Sequence, residues 1–294
     1  MTNEEFVIKN SVLAKYTGTG GDVTIPDGIT FIAAFSFKDC SSLISISIPN
    51  SVTYIGHCAF SGCVGLTSIS IPDGVTDILC NTFADCKSLT NIFIPDSVTN
   101  IDDSAFRGCS GLANEDGFVI VRDVLYSYWG NDDNVILPDN VTSIAERAFV
   151  NCEHITSITI PKNITRIPCS AFHGCKHLAS VTLLDSVTDI EMWAFRYCEN
   201  LTSVIIPNSI TYIGDGAFYG CSKLSSIYIP ESVTYLGDFA FYGCDALTSV
   251  NIPANVTTIG MLAFGKNENL VIHGTTGSYA EQYAKENNIT FVAI

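Results

Sequence analysis

Charged residues are scarce in this chain of 294 residues, and basic residues are the scarcest. Charged side chains make up 15% of the sequence, against roughly a quarter in an average globular protein. Only 14 residues are Lys or Arg, whereas 30 are Asp or Glu, so the formal net charge is −16. Proteins that bind nucleic acids or anionic membrane surfaces need clustered basic side chains. The composition therefore argues against both kinds of partner.

Long apolar runs are also missing. No stretch approaches the roughly 18 consecutive apolar residues of a membrane-spanning helix, so membrane insertion is not expected. The first ten residues, M-T-N-E-E-F-V-I-K-N, lack the basic segment and the apolar core of a secretory signal. These residues leave three possibilities open: a cytoplasmic protein, a protein exported by another route, or a piece of a longer chain.

Motifs for catalysis and cofactor binding are absent as well. The sequence contains no G-x-x-x-x-G-K-[ST], G-x-G-x-x-G, H-E-x-x-H or G-x-S-x-G. Most carboxylates stand in P-D-G, P-D-S or G-D segments, where such residues are solvated turn formers. Catalysis requires unlike residues that converge on one pocket. The expectation is a protein that is not an enzyme and has no cofactor.

What the sequence does contain is a repeat, marked by proline. Most of these prolines are 23 residues apart, Leu184 stands where one is due, and one longer step breaks the series. A fixed period of about 20–29 residues is typical of leucine-rich solenoids. The prolines stand at positions 26, 49, 72, 95, 138, 161, 207, 230 and 253.

The segment around Pro72 shows the unit, here called a rung. L-T-S-I-S-I precedes the proline, and Val75, Ile78, Phe83 and Cys86 follow it. The I-x-I alternation predicts a short strand, which must stack on copies of itself to bury its apolar side. V-T-x-I predicts a second strand on the opposite wall, and A-F-x-G-C predicts a tight helical turn with a left-handed glycine exit. The prediction is a repeat solenoid, mainly β with short helical turns, with a parallel sheet along its concave face.

This unit resembles the BspA-type leucine-rich repeat family, whose repeat reads L-T-S-I-x-I-P-x-S-V-T-x-I-G-x-x-A-F-x-G-C. The match covers residues 26–273 with one interruption. The resemblance implies a solenoid that is secreted or displayed at the microbial surface. It also implies a protein ligand, such as fibronectin, fibrinogen or another protein of the host or of a neighbouring cell. The alternative is an intracellular scaffold or recognition protein, which suits the many thiols and the N-terminal sequence.

The interruption and both ends depart from the repeat. Residues 118–138 place apolar residues at the same points as residues 6–26, which predicts two hairpin variants of the rung. Ser278 and Glu281 form a capping-box pattern, and Tyr279, Ala280, Tyr283 and Ala284 an apolar helical stripe. One continuous solenoid over 1–294 is predicted. Its parts are an N-terminal hairpin-like cap (1–25), four repeats (26–114), a variant hairpin repeat (115–137), six repeats (138–273) and a C-terminal helix–strand cap (274–294).

Nine of the twelve cysteines fall 14 residues after a proline position. A disulfide ladder or a chain of metals would be a functional explanation, and a small residue filling a tight corner is the simpler one. Stacked copies point the same way, so their Cβ atoms do not converge as a disulfide requires. We predict nine free, buried thiols and no metal site, although C169-S-A-F-H173-G-C175-K-H177 contains zinc-type ligands. The nine are Cys40, Cys63, Cys86, Cys109, Cys152, Cys175, Cys198, Cys221 and Cys244.

Candidate binding residues are those that break a polar pattern on the strand preceding each proline. Its outward positions are mostly Ser and Thr, namely Ser45, Ser47, Ser68, Ser70, Ser157, Thr159, Ser180 and Thr182. The exceptions are Phe93, Ile136, Ile205 and Tyr228, and the inserted hairpin adds Tyr126, Tyr128 and Trp129. Exposed apolar residues on a polar sheet favour a contact site, although packing under the hairpin or plain variation would also explain them. A second strip, Tyr212 with Tyr235 and Tyr219 with Tyr242, is predicted on the opposite wall.

Overall fold

The computed structural model describes residues 5–265 and 267–294. These residues divide into two compact units, each of which is described by itself. The N-terminal unit runs to Val121 and includes Tyr126–Trp129, and the C-terminal unit comprises Arg122–Leu125 and Gly130–Ile294. Stacking of the two units into one continuous solenoid stays a prediction.

Two short strands form each regular rung, one before the proline and one after it. We call the sheets that these strands build the front sheet and the back sheet. The strands up to the interruption are β1 (Phe6–Lys9), β2 (Val12–Tyr16), β3 (Gly21–Thr24), β4 (Phe31–Ile32), β5 (Leu43–Ser47), β6 (Tyr54–Ile55), β7 (Ser68–Ser70), β8 (Asp77–Ile78), β9 (Asn91–Phe93), β10 (Asn100–Ile101), β11 (Phe118–Val121) and β12 (Val124–Tyr128).

The same alternation of front and back strands continues in the C-terminal unit and ends in a helix and a last strand. The elements are β13 (Asn134–Ile136), β14 (Ser143–Ile144), β15 (Ser157–Thr159), β16 (Arg166–Ile167), β17 (Ser180–Thr182), β18 (Asp189–Ile190), β19 (Ser203–Ile205), β20 (Tyr212–Ile213), β21 (Ser226–Ile227), β22 (Tyr235–Leu236), β23 (Ser249–Ile252), β24 (Thr258–Ile259), β25 (Val271–Gly274), α1 (Tyr279–Glu286) and β26 (Thr290–Ala293).

The strands of the regular rungs pair in parallel, and their register is constant except for an irregularity between β3 and β5 at Gly21 and Asp22. The front sheet of the N-terminal unit has the order β3-β5-β7-β9, and the C-terminal unit has β13-β15-β17-β19-β21 in front and β16-β18-β20-β22-β24 behind. Ser180 pairs with Ser157 on one side and with Ser203 on the other. Equal repeat length places equivalent residues side by side, so one inward residue per strand builds a continuous apolar wall. The predicted solenoid with parallel sheets is confirmed.

A third wall closes each rung through tight turns. In the turn around Phe60, the N–H of Ala59 donates to Gly56 O at 3.1 Å and that of Cys63 to Phe60 O at 3.2 Å. This i→i+3 pattern is the spacing of a single 3₁₀ turn. The turns also bond to their neighbours, since Phe60 N donates to Thr82 O at 2.9 Å. The predicted glycine exit is confirmed at Gly62, where φ is +75°.

The core contains one row of stacked phenylalanine rings in each unit. Successive rings lie 4.9–5.6 Å apart with interplanar angles of 3–18°. Tyr16 and Tyr126 contact the two ends of the row in the N-terminal unit, and Tyr283 contacts Phe264 in the C-terminal unit. The recurrence of Phe83 at one position of the repeat predicts such a row, and its rings are buried within each unit. Its members are Phe37, Phe60, Phe83 and Phe106 in the first, and Phe149, Phe172, Phe195, Phe218, Phe241 and Phe264 in the second.

The cysteine column, called here the thiol ladder, is also a hydrogen-bond ladder. Seven thiols each donate to the carbonyl of the phenylalanine 26 residues earlier, with S···O distances of 2.9–3.3 Å, for example Cys198 to Phe172. All twelve cysteines are free, and these seven are buried. The prediction of nine buried thiols is wrong for Cys40 and Cys152, which are half-buried. Both stand in the first regular turn after a hairpin, where no regular turn precedes them to cover the sulfur.

The hairpins have two-residue turns. Strands β1 and β2 pair antiparallel around Asn10 and Ser11, whose φ angles are +50° and +60°. Arg122 and Asp123, between β11 and β12, have φ angles of +48° and +63°. Positive φ at both positions is characteristic of the type I′ turn, which matches the twist of a hairpin.

The C-terminal helix begins differently from the predicted capping box. Ser278 is the N-cap, but its hydroxyl makes no capping bond and is buried without a partner. Glu281 reaches past it and accepts from Gly277 N at 2.6 Å, because Ser278 N already donates to Thr275 O. Of the predicted stripe, Ala280, Tyr283 and Ala284 are buried, whereas Tyr279 is partly exposed.

Candidate functional site

The front sheets present a polar outer face, because strand residues alternate between core and solvent. In β7, Ile69 is buried between exposed Ser68 and Ser70, and β17 repeats the pattern with Val181 between Ser180 and Thr182. The four apolar exceptions point outward as predicted. Their exposed fractions are 60% for Phe93, 75% for Ile136, 78% for Ile205 and 56% for Tyr228. These apolar side chains are exposed to water, so their burial against another molecule would be energetically favourable.

Phe93 lies beside a recess in the front of the N-terminal unit. The recess has a volume of about 420 Å³, and its lining includes Ser47, Ser70, Pro72, Asp73 and Phe93. Phe93 ends strand β9, the last of its sheet, and is paired with Ser70. The recess thus combines one apolar wall with hydroxyl and carboxylate groups that can orient a ligand.

Ile205 and Tyr228 form an apolar pair in the front of the C-terminal unit. Strands β19 and β21 pair through Val204 and Ile227, so these two outward residues follow one another on adjacent strands. Adjacent strands lie about 4.8 Å apart. Ile136 stands on β13, separated from Ile205 by Thr159 and Thr182. The C-terminal unit therefore has one apolar pair and one isolated apolar residue.

Two of the three hairpin residues predicted to bind a partner are buried and cannot contact one. Tyr126 is 2% exposed and Tyr128 is 5% exposed. Tyr126 packs its ring against Phe106 at 5.2 Å, and Tyr128 packs against Phe118 at 5.0 Å. The prediction failed because β12 is buried on both faces from Leu125 to Tyr128, whereas the matching strand of the first hairpin exposes Ala14 and Lys15. Trp129 remains half-exposed, and its indole N–H donates to Ser127 Oγ.

The predicted tyrosine strip is assembled on the back and turn walls. Tyr212 and Tyr235 stack at 4.9 Å, and Tyr219 and Tyr242 stack at 5.1 Å. Burial, followed by the nearby Asp215 carboxylate, raises the pKa of both Tyr212 and Tyr235. The strip therefore lies in an acidic environment.

Sequence reasoning missed a matching pair in the N-terminal unit. Phe31 and Tyr54 stack at 4.2 Å on the back sheet, in the same repeat position as Tyr212 and Tyr235. Phe35 and His57 make a further edge contact at 4.8 Å on the turn wall, and Phe35 is 48% exposed. Comparing each column of the repeat, and not only the front strand, would have found these residues.

The Cys169–His177 segment does not gather its ligand-type side chains. Cys175 is buried and donates to Phe149 O, whereas His177 Nδ1 bonds to Glu153 O at 2.6 Å. Burial lowers the pKa of His173, whose ring contacts the edge of Tyr197. Among the residues described, no group of three or more His, Cys, Asp or Glu is arranged to hold a metal ion. Over those same residues, no helix has the length and apolar character to cross a bilayer.

Comparison with known proteins places this chain among repeat proteins of one kind. It is similar to a leucine-rich cell surface protein from Faecalibacterium prausnitzii, with 26% identity over 95% of this chain and 94% of that chain and a TM-score of 0.52. It is also similar in fold to a leucine-rich repeat protein from Eubacterium ventriosum, with 20% identity, coverage of 86% and 87%, and a TM-score of 0.56. The pneumococcal vaccine antigen PcpA has 18% identity, coverage of 93% and 79%, and a TM-score of 0.58.

No curated protein matches the chain with significant similarity. The model of the BspA-type leucine-rich repeat region, in contrast, matches residues 8–116, 120–204 and 142–271. These segments cover most of the chain and include the stacked rungs, the phenylalanine row and the thiol ladder. The chain therefore belongs to the BspA-type leucine-rich repeat family.

Proposed function

We propose that this protein is a non-enzymatic adhesion or recognition module that binds a partner protein through its front sheets. Leucine-rich repeats are protein-interaction modules, and a solenoid offers rows of like residues suited to an extended contact. The observation that carries the proposal is the exposure of Phe93, Ile205 and Tyr228 on an otherwise Ser- and Thr-rich face. Aromatic and aliphatic anchors supply most of the affinity in protein interfaces.

Surface display is supported by the family and by one relative. BspA-type proteins are typically surface-associated, and the Faecalibacterium prausnitzii relative is described as a cell surface protein. The partner would then be a host extracellular-matrix protein or a protein of a neighbouring cell. An intracellular scaffold is the second candidate, and the twelve free cysteines favour it, because oxidising compartments favour paired cysteines.

A binding screen tests the first candidate. The purified chain is titrated against immobilised fibronectin, fibrinogen and whole neighbouring bacteria, and saturable binding to at least one is expected. Absence of saturable binding to all three would refute the adhesive role. Fractionation of the source cells, with free thiols counted in each fraction, separates surface display from the scaffold, which should stay inside with reduced thiols.

Paired variants test which residues bind. Tyr228→Ala and Ile205→Ser should each weaken binding roughly thirtyfold, since a central anchor is worth about 2 kcal/mol or more. Thr182→Ala is the matched control, because Thr182 occupies the position next to Ile205 on the adjacent strand. Its hydroxyl is exposed, so removing it should change affinity less than about threefold. Equal losses from Thr182→Ala and Tyr228→Ala would contradict the role of the apolar pair.

A further inference from the structure

A recess separate from the front sheet lies on the turn wall of the C-terminal unit. Its volume is about 360 Å³, and it spans three successive rungs. Trp193 and Phe239 belong to its outer rungs, and Gly216 lies between them in the same repeat position. Asp215, Asp238 and Arg196 supply the charged groups.

Gly216 makes room for the indole of Trp193 in this recess. A Cβ atom at Gly216 would stand 2.6 Å from Trp193 Cδ1, so the indole occupies the space that a side chain would need. Equivalent residues two rungs apart are separated by about 10 Å, twice the strand spacing, which leaves room for a flat or slender group. Trp193 and Phe239 both have a φ of +58°, which is unusual for bulky residues.

Arg196 is held by aromatic rings. Its guanidinium carbon lies 5.3 Å from the ring centre of Trp193, 4.7 Å from that of Tyr197 and 5.1 Å from that of Tyr219. Its Nε is buried and has no hydrogen-bond partner among the described residues. The arginine therefore stiffens the aromatic wall without neutralising the acids of the recess.

The two aspartates are fixed in place and lack a basic partner. Asp215 Oδ1 accepts from Asp238 N at 2.9 Å, and Asp238 Oδ1 accepts from Met261 N at 2.7 Å. Neither carboxylate forms an ion pair within residues 5–265 and 267–294, whereas nearby Glu191 pairs with Arg166. Two carboxylates and one guanidinium leave the recess with a formal charge of −1.

We propose that this recess binds one basic side chain, a lysine or an arginine, of a partner protein. The cation would lie against the ring of Phe239, since aromatic faces attract positive charge and the indole of Trp193 already contacts Arg196. Asp215 and Asp238 would supply charge-assisted hydrogen bonds. The net charge of −16 would draw a basic surface toward the protein. The recess is on a different wall from the apolar front residues, so the two proposals stand or fall separately.

The fluorescence of Trp193 can be used to measure binding in the recess. It contains two tryptophans, Trp129 and Trp193, so Trp129→Phe leaves the indole of the recess as the only one. This variant is titrated with acetyl-Gly-Lys-Gly-amide and acetyl-Gly-Arg-Gly-amide, and with the Gln and Glu peptides as controls. Saturable changes in fluorescence with a Kd on the order of 1 mM are expected for Lys and Arg. Saturation-transfer NMR on the peptide methylene protons gives a second readout.

Matched charge variants locate the binding. Asp215→Asn with Asp238→Asn keeps the oxygens that accept the two backbone N–H bonds and should weaken binding about tenfold, since each exposed ion pair contributes up to about fivefold. Asp185→Asn removes one exposed acid elsewhere in the same unit and should have no effect. Raising ionic strength from about 0.1 M to 1 M shortens the screening length from about 10 Å to 3 Å and should also weaken binding.

Four results would overturn the proposal. The Gln peptide could bind as tightly as the Lys peptide, which would make charge irrelevant. The Glu peptide could bind more tightly, which would make the recess an anion site on Arg196. The fluorescence and the NMR signal could both stay unchanged when the basic peptides are added. Finally, the double Asp variant could bind the basic peptides as tightly as the unchanged protein does. Because short peptides are the probe, each result is independent of whether the front sheets bind a host protein.

Discussion

Alkaline pH is expected to destabilise both units, because each contains buried thiols that must stay protonated. Burial raises the pKa of Cys63 and of Cys244 to about 12. Burial also raises the pKa of Cys198 and Cys221, whereas at Cys86 a hydrogen bond with Cys109 raises the pKa most and burial raises it further. Cys175 behaves like Cys86, with Cys152 as its hydrogen-bond partner raising the pKa.

The direction follows from which state holds the protons. An unfolded thiol ionises near its ordinary pKa of 9.0, whereas Cys63 and Cys244 in the folded protein have a pKa of about 12 and the pKa of the other four thiols is raised above 9.0. The stabilising contribution is therefore complete below about pH 9 and is lost as pH rises toward 12. At about pH 10 each of these thiols lowers the free energy of unfolding by about 1.4 kcal/mol relative to its value below about pH 9. Two such thiols lie in the N-terminal unit and four in the C-terminal unit, so the losses are about 3 and 6 kcal/mol.

Chemical unfolding followed by circular dichroism at about pH 7.5, 9 and 10, with reductant present, measures this loss. A domain is typically stable by about 5–15 kcal/mol, so the C-terminal unit should be close to unfolding at about pH 10. Cys198→Ala should reduce the alkaline loss of that unit by about a quarter, because one of four protons is removed. Cys80→Ala, at an exposed thiol outside the ladder, should leave the pH dependence unchanged. Equal unfolding free energies at about pH 7.5 and 10 would refute the buried ladder.

Two further predictions concern the core. Phe172→Ala should lower the free energy of unfolding by about 3–5 kcal/mol, the usual cost of emptying an aromatic core site. Phe93→Ala, on the exposed front sheet, should lower it by less than about 0.5 kcal/mol. A loss under about 1 kcal/mol for Phe172→Ala would contradict the place of Phe172 in the buried row. Titration with a thiol reagent should label exposed Cys80 readily and few ladder thiols until denaturant is added, and stoichiometric disulfides between neighbouring ladder positions would contradict the hydrogen-bonded arrangement.

Much of the fold could be predicted because one pattern, repeated at constant length, leaves little freedom. Strand positions, the phenylalanine row and the unpaired cysteines all follow from stacking like residues at about 4.8 Å. The hydrogen bond from each thiol to an earlier carbonyl could not be predicted, since it depends on how the turn wall bends. The burial of Tyr126 and Tyr128 was missed for a related reason. The two hairpins are similar in sequence, but the environment of a strand depends on residues far away in the chain.

The candidate sites were only half predictable. Phe93, Ile136, Ile205 and Tyr228 could be recognised because each replaces a Ser or Thr in a strict alternation. The recess at Gly216 could not, because it requires three different residues in one column and a backbone angle that no pattern of side chains reveals. Capping by Glu281 differed from expectation for a local reason, since the N–H of Ser278 was already engaged.

The left-handed backbone residue two positions before nine of the ten core phenylalanines has a consequence for how this protein could be redesigned. Nine turns have a positive φ there, between 49° and 61°, at Phe35, Cys58, Asn81, Arg147, Ser170, Trp193, Gly216, Phe239 and Leu262. The same bend thus accepts aromatic, basic, polar and aliphatic side chains, and the phenylalanine behind it stays in place. The residue at this position can therefore differ from turn to turn while the core behind it stays the same. Specificity could be exchanged turn by turn, by grafting residues at this position, without redesigning the interior.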